Sequence, residues 1–430
     1  MQILKKLFPN LEKTLFFLVI LFLPTQLGKH FWPQSSSIFS IRIDYLSPTI
    51  YFWDLLMLSL FTIFIINSYQ KRHLTINKPF LYLAGFFLLT QGLSIIFAIN
   101  PEGSLVRLKD YFIASLLGLY ISSIDFTKNK SLFFSSLALS SVLTSFLAIS
   151  QFLLGRSIGL WIIGERTFDV AQPLIAKFNF YEQVFLRPYA TFPHPNMLAA
   201  FLVLILPLLN YGLTEKLKTF KLFNSLLTAT TIFITFSRPA LLLISFQIIL
   251  IFRRFWKLLL IAGVLIFPLT FVRLSSIFTY DSLAILRRRE LTDYALKIFP
   301  ENPVFGVGLN NFINTLASNH VLIGTSRFLQ PVHNIFLFTL AETGLVGLIG
   351  LLALLGFSIL QTLKNQSPLS KVLLGNLIMI IFLGLFDHYF LTLPQGQRLL
   401  FLIIGLCFIA KESKSIVPKV LAGQRSNKSN

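Results

Sequence analysis

The chain has 430 residues, of which 55% are hydrophobic and 13% charged, with mean hydropathy +0.74. A soluble domain carries about 25% charged residues, so this balance excludes one and indicates a polytopic membrane protein. The 37 basic and 17 acidic residues do not describe a nucleic-acid surface, because the basic side chains fall in short separate loops and form no single patch. Membrane lipids with anionic headgroups are the better partner. The single cysteine, Cys407, lies in an apolar run, which excludes an internal disulfide and a Cys-based metal site.

In chain order, the apolar runs predict helices over 14–28, 49–67, 79–97, 104–123, 132–154, 195–213, 221–236, 239–252, 257–273, 332–360, 371–391 and 398–410. The expected fold is an all-α polytopic membrane protein of about twelve transmembrane helices. Several runs are shorter than the roughly 20 residues of a perpendicular span. Lys5, Lys6 and Lys13 precede the first run, but no small-residue cleavage site follows it, so it reads as an uncleaved helix. Ser237-Arg238-Pro239 alone separates the seventh and eighth runs, which reads as a hairpin or as a broken pair.

Lysine and arginine placement sets the orientation. The short loops around Lys71, Lys128, Lys216, Arg253 and Lys364 each carry two or more positive charges. They read as cytoplasmic, with both termini. Two long loops, 155–194 and 274–331, then face outward. The organisation is N-terminal transmembrane helices over 1–154 and an extracytoplasmic loop over 155–194. A transmembrane core over 195–410 follows, containing the loop 274–331, and 411–430 is a polar tail expected to be disordered.

Polar residues gather in and beside the outer loops. Arg187 precedes His194-Pro195-Asn196, which also reads as a plain helix-entry turn. Arg238 sits near membrane depth, where an arginine costs about 2.5–3.5 kcal/mol at a helix centre; a snorkelling interfacial anchor is the alternative. Arg287, Arg288 and Arg289 form a triplet that suits a pyrophosphate or merely a solvated face. His333-Asn334 stands where the polar loop meets the next apolar run, followed by Glu342. A histidine there is a candidate general base, because its ordinary pKa is near neutral; a structural histidine is the alternative. Gly306 and Gly308 allow a tight turn, and Asn310 follows them. There is no Walker A motif, HExxH or zinc spacing, and no Asp-x-Asp pair in an outer loop. No metal site and no cofactor are expected. An outward site has no access to cytoplasmic nucleotides, which leaves a lipid-linked donor.

Four stretches together resemble the O-antigen ligase and O-antigen polymerase family of bacterial envelope glycosyltransferases. They are TFPHPNMLAAFLVLILPLL at 191–209, TFSRPALLL at 235–243, RRRELTDYALKIFPENPVFGVGLNNF at 287–312 and VHNIFLFTLAETGLVGLIGLL at 332–352. The resemblance implies a GT-C-like protein of the bacterial cytoplasmic membrane with a long periplasmic loop, working without metal or nucleotide. It implies transfer of a glycan from undecaprenyl pyrophosphate to an acceptor hydroxyl on a glycolipid. Polymerases and protein O-oligosaccharyltransferases of the same family use a glycan or a protein as acceptor. A lipid-linked glycan transporter is the reading from another class. By resemblance, Arg238 and Arg288 grip the pyrophosphate, with Arg288 uncertain by one position within the triplet, and His333 activates the acceptor. Asn196, Asn310 and Glu342 are expected to position these groups. Pro239 and Thr292 depart from the family pattern, which usually has a small residue and a tryptophan there.

Overall fold

A computed structural model describes residues 2–70, 75–180, 183–252, 283–318 and 329–409. Fourteen α-helices form among them. The first five are α1 (Gln2–Leu21), α2 (Phe52–Gln70), α3 (Lys78–Leu93), α4 (Pro101–Ser123) and α5 (Phe126–Leu154). Next come α6 (Pro195–Gly212), α7 (Lys218–Ile234), α8 (Arg238–Phe252), α9 (Leu283–Ile298) and α10 (Phe312–Ser318). The last four are α11 (Ile335–Asn365), α12 (Pro368–Gly384), α13 (Tyr389–Thr392) and α14 (Pro394–Cys407). The run at 257–273, the loop ends at 274–282 and 319–331 as far as 328, and the tail lie outside the described residues.

Five helical stretches are long and apolar enough to cross a membrane: Phe52–Gln70, Lys78–Phe97, Phe126–Leu154, Pro195–Gly212 and Ile335–Asn365. Arg238–Ile249 and Pro368–Gly384 are shorter apolar helices. The other expected spans among the described residues are helical but short or charged; α4 carries Glu102, Arg107, Lys109 and Asp110. The fold is thus mostly helical, but not purely so. Three antiparallel strand pairs join β1 (Gly28–His30) to β4 (Thr49–Tyr51), β2 (Ser37–Ile38) to β3 (Ile41–Arg42), and β5 (Lys177–Phe180) to β6 (Gln183–Leu186). All lie in polar segments outside the helices, where antiparallel pairing satisfies backbone groups that no helix serves.

Helix caps explain several helix starts. Asn77, Asn100, Ser367 and Asn334 each accept a backbone N–H of the first turn, and proline opens the helix after the first three, a pairing preformed for a helix start. α4 and α14 pack at backbone distance. A Cβ on Gly405 would stand 2.5 Å from Gly118 Cα, the close approach that small residues permit between membrane helices.

Two corrections bear on the site. The run 371–391 is not one span. α12 stops at Gly384, and 385–388 form a turn before α13, which carries the polar pair Asp387-His388. And α11 is kinked at Gly344 (φ 64°, ψ −162°). The turn after α9 docks into that break: Leu345 and Val346 donate to Pro303 and Val304 carbonyls, and Val307 and Gly308 donate to those of Ala341 and Glu342. A break at membrane depth is tolerable because the freed backbone groups find partners in buried protein. Gly306 (φ 65°) is required there, since a Cβ would lie 2.4 Å from the Glu342 carbonyl oxygen.

Candidate active site

One solvent-open cavity of about 880 Å³ collects the polar loops. The β1–β4 region, the loop after α5, the N-terminus of α6, α9, the segment before α11 and the α12–α14 turn all contribute to its wall. Of the residues singled out in the sequence, His194, Asn196, Arg288 and His333 line it.

The triplet on α9 resolves by geometry. Successive helical residues point about 100° apart, so three adjacent arginines cannot share a face. Arg288 reaches the cavity. Arg289 turns to Asp293 at 3.8 Å, and neither it nor Arg287 lines the wall. The charge of Arg288 acts on His194, His333, Asp387 and His388 together. It also acts on Arg238, which is half-buried at the first residue of α8 and stands near the cavity without lining it. The corner before α8 is a broken pair, made by Phe236 in the left-handed region (φ 50°). Phe178 of β5 stacks on the Phe236 ring at 4.0 Å between centroids, so the β5–β6 pair braces the turn that presents Arg238.

A hydrogen-bond chain runs from that corner to Asp387 and His388, and the His388 ring packs against His333. Arg187 is buried; its Nε donates to the Thr235 carbonyl at 2.6 Å and its Nη2 to Asn196 Oδ1 at 2.8 Å. Asn196 Nδ2 then donates to Asp387 Oδ2 at 3.0 Å. Asp387 Oδ1 accepts the His388 backbone N–H at 2.9 Å. The His388 ring meets the His333 ring edge to face at 5.0 Å, and Tyr45 covers its other side at 5.7 Å. Arg187 therefore works from behind the cavity wall, not on it.

The electrostatics favour neutral imidazoles. His194 Nδ1 accepts the Asn196 N–H at 3.0 Å, so the proton sits on Nε2 and this ring is a donor toward the cavity. Its surface is open to the cavity, yet the ring lies deep in the protein; burial, aided by Arg187, lowers its pKa to about 3. Burial holds His333 well below the ordinary range, with His388 and Arg288 adding to the effect against the opposing Asp387. Burial lowers His388 to about 4. The approach of His388 Nε2 to Asp387 Oδ1, 3.9 Å, is therefore not an ion pair at neutral pH. Burial favours the neutral form of Asp387 as well, but the cationic groups around it, His388 and His333 when protonated and Arg288 throughout, hold its pKa below the ordinary carboxylate range.

The remaining expected residues build the frame and do not line the cavity. Glu342 is buried and accepts the backbone N–H groups of Asn310 at 2.7 Å and Phe312 at 3.0 Å. Asn310 accepts from Arg107 Nη2 at 3.1 Å and donates to the Tyr45 and Gly103 carbonyls. It thereby sets Arg107, which does line the cavity and also donates to the Thr392 carbonyl. Asn334 caps α11 through the N–H groups of Phe336 and Leu337. Gly306 and Gly308 seat the turn, the first on Glu342 and the second against Ala98.

Sequence reasoning missed Asp387 and His388. The signal was present: an acid and a histidine inside an expected span are costly, and such residues mark function or a break in the helix.

Residues 223–352 match the family model described as O-antigen ligase. The match bears out the resemblance to the O-antigen ligase family over those residues. It takes in Arg238, the triplet, the glycine turn, His333 and Glu342, while Arg187, His194, Asn196, Asp387 and His388 fall outside it. No curated protein matches the chain.

Proposed function

We propose that this O-antigen ligase family member is a metal-independent, inverting glycosyltransferase. It moves a glycan from undecaprenyl pyrophosphate to an acceptor hydroxyl at the outer face of the cytoplasmic membrane. The acceptor is a glycolipid in the ligase reading. A second lipid-linked glycan or a protein hydroxyl defines the polymerase and protein-transferase readings. The observation that carries the proposal is the meeting of Arg288, His194 and His333, from three separate segments, on one polar cavity.

In the reaction, the acceptor oxygen attacks the anomeric carbon and the bond from that carbon to the diphosphate oxygen breaks. The acceptor proton passes to a His333 ring nitrogen. Arg238 and Arg288 offset the charge that develops on the departing diphosphate, which then needs no protonation. His194 donates Nε2–H to a substrate oxygen. The Arg187–Asn196–Asp387 chain holds the wall against which His333 works. The polyprenyl tail lies between helices in the bilayer, within a GT-C-like arrangement of about twelve helices.

Orientation finds support in the origin of the cavity wall. Its loops are those that lysine and arginine placement puts outside, and none of the short basic loops contributes to it. Both termini are then cytoplasmic.

The test is reconstitution of the purified protein in proteoliposomes with undecaprenyl-pyrophosphate-linked glycan and, in separate reactions, lipid A–core, a second lipid-linked glycan or a protein acceptor. Release of undecaprenyl pyrophosphate with product on one acceptor is expected. Movement of intact donor across the bilayer without bond cleavage would instead establish a transporter.

A further inference from the structure

We propose that His333, Asp387 and His388 form a binding site for a borderline-soft divalent cation, Zn²⁺ or Co²⁺, whose occupation stops transfer. The ligand atoms of the three side chains all lie within 4.8 Å of one another. Two of the three come from the turn after α12, and the third from the segment before α11.

The tautomer of His388 is set by its neighbour. Thr392 Oγ1 donates its one proton to the His388 carbonyl at 3.1 Å, so it accepts from His388 Nδ1–H at 2.6 Å. His388 Nε2 then carries the lone pair, and it stands 3.9 Å from Asp387 Oδ1. That span is too long for a hydrogen bond. It fits a bridging ion, since zinc sits about 2.0–2.2 Å from an imidazole nitrogen or a carboxylate oxygen. His333 completes the set: its Nδ1 has no hydrogen-bond partner among the described residues.

Other requirements of a metal site are met as well. The carboxylate is oriented by Asn196 Nδ2 and His388 by Thr392, the outer support that metal ligands need. The cavity supplies an entry path and room for a water as fourth ligand. Two imidazoles and one carboxylate suit zinc or cobalt, whereas magnesium and calcium prefer oxygen ligands throughout. His194, the other histidine on this side of the cavity, is committed: its Nδ1 accepts the Asn196 N–H, which leaves a protonated Nε2. Cys407 is buried in α14.

Metal binding stands on this geometry alone. Inhibition rests on the reading of His333 as base, because an ion that takes its lone pair leaves nothing to accept the acceptor proton.

The experiment uses the full-length protein, purified in detergent and stripped of metal. Titration with Zn²⁺ by calorimetry, and with Co²⁺ by visible absorption, should show one site per chain; Mg²⁺ should show none. His388→Gln removes the Nε2 ligand but keeps a side chain able to bond Thr392, and should weaken Zn²⁺ binding more than about 100-fold at an unchanged melting temperature. Asn196→Ala, which loosens Asp387, should cost about 10–100-fold. Absence of stoichiometric Zn²⁺ binding to the wild-type protein would overturn the site without recourse to any variant, as would wild-type affinity in folded His388→Gln. In proteoliposomes, transfer should fall in proportion to site occupancy and return on adding EDTA. Full-rate transfer by zinc-saturated protein would overturn the inhibition and count against His333 as base, while leaving the binding result standing.

Discussion

Replacing Arg288 with alanine, beside matched replacements of Arg287 and Arg289, tests whether one arginine of the triplet holds the donor. Arg288 alone of the three lines the cavity. A charge-assisted contact to a phosphate oxygen is worth about 1.5–3 kcal/mol. At about 1.4 kcal/mol per decade, Arg288→Ala should weaken donor binding roughly 10–150-fold. Arg289 pairs with Asp293 at 3.8 Å, about two-thirds exposed on both sides. Such a pair contributes about 0.3–0.5 kcal/mol to helix stability, so Arg289→Ala should change donor affinity by less than about threefold. Lysine at 288 should restore only part of the loss, because a point charge cannot reproduce a two-pronged guanidinium. Equilibrium binding of undecaprenyl-pyrophosphate-linked glycan to the purified variants, each checked by melting, separates these outcomes. Equal losses at all three positions would show a diffuse cationic face and refute the geometric assignment.

His333→Asn should insert, fold and bind donor, yet turn over about 10²–10⁴-fold more slowly, the usual contribution of a general base; near wild-type turnover in a folded variant would remove that role. The pH profile follows from the same residue. His333 acts as its neutral form, which is lost as pH falls through its pKa, and that pKa is lowered well below 6.5 in the free protein. The acid limb of kcat/KM should therefore lie below pH 6.5. Bound diphosphate adds negative charge beside the ring and raises its pKa, so the acid limb of kcat should lie higher than that of kcat/KM; limbs in the reverse order would contradict the placement of donor beside His333. Glu342→Ala should act on stability, since it strands two buried backbone donors at about 1–3 kcal/mol each. Its melting temperature should drop while any folded fraction keeps the wild-type donor affinity. Transfer should persist in EDTA without nucleotide, and loss of activity rescued by a divalent ion would count against a metal-free reaction.

Several features of this protein were legible in the sequence because they depend on local chemistry. Composition places the helices in a membrane. The ordering of Ser237-Arg238, the arginine triplet and His333-Asn334 pointed to the family that residues 223–352 match. The resemblance alone favoured Arg288 within the run of three, and the sequence could not say which arginine faces inward.

Tertiary structure decided the rest, because the deciding contacts join residues far apart in the chain. Arg288 faces the cavity because of how α9 is rotated in its packing, which adjacent residues of one type cannot reveal. Gly306 and Gly308 were expected to turn the loop, and Asn310 and Glu342 to position the site; only the fold shows what they hold, a turn seated in the broken helix α11 by pairing between residues 303–312 and 341–346. Asp387 and His388 were hidden inside an apolar run. Hydropathy averages over a window and passes across a turn of four residues, whereas the fold ends α12 at Gly384 and brings the pair against His333 and Asn196. Hydrophobic pattern dictates which segments leave water. Which polar side chains then meet is settled by the packing of helices whose outer loops have no periodicity of their own to read.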